Sequence, residues 1–157
     1  MTPPAGATMS PPAFVRAPAA ASGEGASARS PVQVLAFVEP LPGFPAHRDY
    51  VLVSGDASGR LFWLQSMAPE GPRFLAVRPT AYFPEYAPAL PGAALAELGL
   101  PDAGAAQVFC VVTVPGGDVA LATVNLRAPV LVNRDTHRAR QVVLTDGLHP
   151  IRRPVRR

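Results

Sequence analysis

Proline and glycine break this chain into short pieces, and that punctuation limits its possible folds more than any other feature. Twenty prolines and thirteen glycines are spread through 157 residues. A proline inside a helix removes a backbone donor and clashes with the preceding turn, so a chain interrupted this often cannot be built from long helices. No apolar run between the breaks approaches the roughly 20 residues of a membrane-spanning helix. What survives is a series of short runs rich in Val, Leu, Phe and Tyr, with the length and composition of β-strands.

The runs do not begin at the N-terminus. Residues 1–31 are rich in Pro and Ala, with Ser and Gly but almost no large apolar side chain. Such a segment buries too little surface to offset the entropy of ordering it, so it is expected to be a disordered leader. It has no Lys or Arg before Arg16 and no Leu-rich block, and so lacks the layout of a secretory signal. The composition shifts at Val32, and one domain is expected over 32–157, because the chain is too short for two ordinary cores.

Seven runs within that domain read as strands: 32–38, 50–55, 60–66, 73–79, 107–114, 119–133 and 140–146. Closely spaced strands separated by turn residues predict a mainly all-β fold, a small antiparallel β-barrel or sandwich. Pro115-Gly116-Gly117-Asp118 supplies the chemistry of a hairpin turn between 107–114 and 119 onward. Along 119–133 the residues Ala120, Ala122, Val124, Leu126, Ala128, Val130 and Val132 share one face at period two and should be core. One short helix is expected over 93–98, where Leu95 and Leu98 are three apart, Gly99 is placed to cap the C-terminus, and Pro101 prevents continuation.

The chemistry-bearing residues do not converge on a reaction. All fourteen basic residues are Arg, the formal charge is only +3, and Arg152, Arg153, Arg156 and Arg157 crowd the last residues. The rest of the chain is close to neutral, which argues against a broad nucleic-acid footprint. Cys110 is the single cysteine, lies in an apolar run and cannot form an internal disulfide, so a reduced thiol and a cytoplasmic setting are expected. His47, His137 and His149 sit in or beside turns without metal-ligand spacing. The carboxylates are few and unpaired. No catalytic residue, metal site or cofactor is expected.

Polar and aromatic residues without catalytic spacing do stand out. In PTAYFPEYAP, the residues Tyr82, Phe83 and Tyr86 form either a hydrophobic lid on the barrel or an exposed anchor for a partner. Asn125 and Asn133 fall opposite the apolar face of their run, either solvated or offered to an interface. Pro129 cannot donate to a sheet ladder, so the strand must bulge or lie at an edge there, and an edge is a template for another chain. The Arg-rich end HPIRRPVRR is either solvated or a dock for an acidic surface.

Taken in order, the phrases LPGF, WLQS, FPEY, LAELGL, TVNLRAPVLVN, RQVVL and HPIR resemble the succession of motifs in the flagellar assembly factor FliW family. The likeness spans everything after Val32 and is strongest in TVNLRAPVLVN followed by RQVVL. Two departures stand out: the long Pro/Ala leader, and a helix start at Gly92 where the family usually offers a better acidic or hydroxyl cap. The resemblance implies a cytoplasmic protein that binds newly made flagellin. When flagellin is depleted, such a protein binds the RNA-binding regulator CsrA away from its RNA surface and relieves repression of flagellin translation. Given also the broken apolar runs and the low net charge, no membrane partner and no direct nucleic-acid partner are expected, and the free protein is expected to be a monomer. The expected contacts are Asn125, Arg127, Asn133 and Gln141 on exposed strand faces, with Tyr86 as an anchor. The alternative from another class is a small RNA-binding β-barrel using Arg and exposed aromatics.

Overall fold

The computed structural model describes residues 32–155, so the leader expected over 1–31 lies outside the described residues. Strands β1 (Val32–Phe37), β2 (Asp49–Ser54), β3 (Leu61–Ser66) and β4 (Arg73–Val77) form an antiparallel meander. Its register sets Leu35 opposite Tyr50, Leu52 opposite Leu64 and Phe62 opposite Ala76, so the buried set of each strand lands on one face. That is the expected consequence of a period of two. The turn between β3 and β4 is held by His47 Nδ1 and Ser66 Oγ, 2.9 Å apart. At Gly71 a Cβ would come within 2.2 Å of that same Ser66 oxygen, so only glycine fits there.

Strand β5 (Gln107–Thr113) pairs with β4 on one edge and is shared on the other. Its C-terminal end takes β6 (Thr123–Val124), which in turn takes β9 (Arg153–Pro154). Its N-terminal half takes β7 (Val130–Val132), and β7 pairs with β8 (Arg138–Gln141). Strand β8 then runs parallel to β1, with Ala36 opposite Arg138 and Phe37 opposite Ala139. That contact closes a seven-stranded barrel, β5-β4-β3-β2-β1-β8-β7 and back to β5, with β6 and β9 outside the ring. The expected barrel is present, and one of its pairings is parallel.

The lumen is filled by Leu35, Phe37, Tyr50, Leu52, Phe62, Leu64, Phe109, Val130 and Val132, all buried. Edge-to-face contacts of Phe37 on Tyr50 and Phe62 on Phe109, at 5.1 and 5.2 Å between centroids, fix how the rings interlock. Each such side chain contributes about 1.5–3 kcal/mol by burial. Two further clusters lie on the outside of the wall. The segment from Pro79 lays Phe83 and Tyr86 over Val77, Cys110, Val124 and Leu126, while helix α1 (Gly92–Glu97) brings Ala94, with Leu98 and Leu100 after it, onto Leu131, Val142 and Leu144. All three residues of β7 are therefore buried, two facing the lumen and Leu131 facing the helix.

Of the two alternatives for PTAYFPEYAP, the structure shows the lid, laid on the wall: Phe83 and Tyr86 are 5% and 7% exposed. Helix α1 starts at Gly92, one residue before the 93–98 expected from the Leu spacing and where the resemblance placed its start, and it ends as the sequence suggested. Gly99 has a φ of +71°, its N–H donates to Ala96 O at 3.0 Å, and Leu100 N–H reaches back to Leu95 O at 2.8 Å. Those two bonds satisfy carbonyls that a helix end otherwise leaves open. At the other end Pro91 offers no side-chain cap.

The run 119–133 is not one strand. It begins in a 3₁₀ turn (Val119–Leu121), enters β6, leaves the sheet over 125–129 and re-enters as β7. Ala120, expected in the core, is exposed, whereas Ala122, Val124, Leu126, Ala128, Val130 and Val132 are buried. The break has a local cause. Asn125 Oδ1 accepts from the N–H groups of Arg127 and Ala128 at 3.1 and 3.2 Å, a side-chain turn that competes with the ladder, and Pro129 has no N–H to pair. The run 140–146 is likewise strand only through Gln141.

Candidate functional site

Four of the five expected contact residues converge on the segment 125–129, where the chain crosses from β6 to β7. Asn125 turns the segment from within. Tyr86 Oη donates to Leu126 O at 2.7 Å, and its ring packs edge-on against the imidazole of His149, 5.1 Å between centroids. The Arg127 guanidinium donates through Nε to His149 O at 2.9 Å, and Leu126 N–H donates to Pro150 O at 3.0 Å. Gln141 donates through Nε2 to Ala128 O at 3.0 Å. Val142 and Leu144 N–H donate to Pro129 O and Arg127 O at 2.9 and 2.8 Å. A stretch outside regular structure thus has its backbone tied from three directions: the lid, the chain after β8, and the approach to β9.

The fifth residue lies elsewhere. Asn133, expected on an exposed face, is buried at 6% exposure. Its Nδ2 donates to Leu98 O at 2.8 Å, and its Oδ1 accepts from Asp135 and Thr136 N–H at 2.9 and 3.2 Å. The chain turns at the end of β7 under the helix C-terminus, which takes Asn133 off any sheet face. Tyr86 is also buried, so neither residue presents an exposed side chain. Asn125, Arg127 and Gln141 are half-buried.

Cys110 faces the lid rather than the lumen and is fully buried. Burial pushes its thiol up to about 12, only partly offset by the neighbouring Tyr86 hydroxyl, and burial likewise raises the Tyr86 phenol. A thiol in that state is not a nucleophile at neutral pH. Among the described residues, no three of His, Cys, Asp and Glu gather as a metal-ligand set. No helix there is long and apolar enough to cross a membrane. The Arg-rich end is partly anchored, since Arg153 stands in β9 with its guanidinium 4.6 Å from the centre of the Phe83 ring.

One cluster escaped the sequence. Arg140 contacts Glu39 at 3.0 Å and also Glu97, joining the end of β1, helix α1 and strand β8. The Nε of Arg140 is buried without a hydrogen-bond partner among the described residues. These three residues are so far apart in the chain that no local spacing signals them; only closure of the barrel assembles them.

A small closed barrel, with one helix and an aromatic segment on its outer wall and polar side chains spent on holding backbone turns, is a scaffold that presents loops and strand edges. The chain belongs to the FliW protein family, whose model matches residues 21–155. It is 37% identical over 124 residues to the flagellar assembly factor FliW of Symbiobacterium thermophilum, covering 78% of this chain and 88% of that one. To the protein of the same name from Moorella thermoacetica it is 33% identical over 115 residues, 73% of each chain. A crystal structure of the flagellar assembly factor FliW has the same fold, with a TM-score of 0.70 at 24% identity over 78% of this chain and 84% of that one.

Proposed function

We propose that this chain is a cytoplasmic flagellar assembly factor that binds newly made flagellin. When flagellin is depleted it binds CsrA away from the RNA surface and relieves repression of flagellin translation. Family membership across the barrel carries this reading, and the way the segment 125–129 is held supports it. A surface whose backbone is already fixed loses less conformational entropy on docking than a free loop does. Arg127 and Gln141, half-exposed at the rim of that segment, are the proposed contacts, with Asn125 between them. Asn133 and Tyr86 serve the same surface indirectly, by holding the backbone on which it is built. The free protein acts as a monomer, without cofactor or membrane.

The test is a purified translation reaction programmed with a flagellin message and repressed by CsrA. Added chain restores flagellin synthesis, and added flagellin withdraws that effect by competing for the chain. Synthesis that stays repressed at saturating chain contradicts the CsrA half of the proposal.

One observation favours the RNA-binding alternative: Arg73 lies over the Trp63 ring, 3.9 Å from its centre, on the outside of β3 and β4. Stacked Arg and aromatic side chains also serve single-stranded nucleic acid. That reading requires RNA retention on filters that falls steeply between low and high salt; no retention at low salt removes it.

A further inference from the structure

Where β1 and β8 part, the barrel wall opens into a cleft of about 760 Å³, lined by Glu39, Pro40 and Pro42 on one side and by Gln141, Val142 and Val143 on the other, with α1 beside them. The two strands run together only as far as Val38, whose N–H donates to Ala139 O at 2.9 Å. The chain then bends at Glu39, and Pro40 has no N–H to offer.

The opposite side of the cleft continues as a strand would. Val142 and Leu144 both donate toward 125–129, and burial alternates, with Val142 and Leu144 buried and Val143 58% exposed. In an extended chain, successive N–H groups point to opposite sides. The N–H of Val143 is therefore turned toward the cleft, and among the described residues it donates to none. An edge of this kind is a ready template for an added strand.

Charge says what kind of strand. Glu39 and Glu97 share one guanidinium, that of Arg140, which leaves one carboxylate charge in excess. Their side chains are 59% and 38% exposed, within reach of a second cation. The charged residues that line the cleft are therefore acidic by one, with Arg48 reaching Val38 O beside Glu39 at 3.0 Å rather than pairing with either carboxylate.

We infer that the cleft takes an extended segment of a protein partner, added as a strand alongside residues 142–144. That segment carries an Arg or Lys that meets Glu39 and Glu97, and an apolar side chain that covers Val143. The slot stands on its own geometry and does not depend on flagellin or CsrA being the partner.

A random-peptide library displayed on phage and selected against the full chain tests it, followed by titration of the selected peptides. Enriched peptides should alternate apolar and polar residues around one basic side chain, and their binding should move the Val143 amide resonance. The double variant Glu39→Gln, Glu97→Gln should weaken them about tenfold at low salt and less at high salt. N-methylation of the peptide amides that face the chain should abolish binding, while methylation of the alternate amides should spare it, a comparison that leaves the protein's fold untouched. No enrichment, equal binding by the double variant, or indifference to which amides are methylated would each overturn the inference.

Discussion

Tyr86 buries its ring in the lid and donates its hydroxyl to Leu126 O, so Tyr86→Phe removes the bond while keeping most of the packing. The carbonyl left behind is buried, and the expected loss is about 1–3 kcal/mol in denaturant unfolding with an unchanged m-value. An unchanged midpoint would mean that the bond contributes nothing to holding 125–129. Cys110 gives a pH prediction at the same scale. Its folded value is raised from 9.0 to about 12, so above pH 9 the unfolded chain gives up a proton that the folded chain keeps. Stability is then fully present below pH 9 and falls as pH rises toward about 12, by at most about 1.4 kcal/mol per pH unit. Comparison of the unfolding free energy of wild type with Cys110→Ala at pH 8 and pH 11 isolates this contribution, since the variant lacks it. The burial of Cys110 was legible in the apolar run around it. That of Asn133 was not, because alternation along a strand cannot show that the chain turns under a helix immediately afterwards.

The strands that alternate were readable to within a residue or two, and β1 to β5 all lie where the runs placed them. Strand β7 defeats the same reasoning, because a strand covered on both faces carries no alternation, and Val130, Leu131 and Val132 are all buried. The interruption at 125–129 did leave a signal, an Asn able to cap its own turn and a Pro four residues later. Pro129 reads as a bulge or an edge, but a continuous period-two stripe of apolar residues makes 119–133 read as one strand. For α1, the sequence placed the stop correctly through Gly99. Gly99→Ala forces a side chain into the left-handed region and should cost about 1–2 kcal/mol. Hydrogen exchange should then quicken at Leu98, Gly99 and Leu100 while amides of β2 and β3 keep their protection. Equal acceleration across the barrel would show that the helix is not a separable unit.

For the whole molecule, closure has no physical signature in the sequence. The parallel pairing of β1 with β8 joins residues about 100 positions apart, and neither strand carries a mark of its partner. Propensity and resemblance together left the architecture open between barrel and sandwich, and only the closed ring of strands decides for the barrel. The same closure creates what the sequence could not show, namely the anchored crossover at 125–129 and the acidic cleft beside it. We propose both as surfaces for docking another chain, and calorimetric titration of the full chain with flagellin tests this most directly. A saturable complex is expected at micromolar concentration or below, weakened by about 1–4 kcal/mol in Arg127→Ala. Absence of a complex at concentrations far above micromolar, with the barrel intact by circular dichroism, would contradict it.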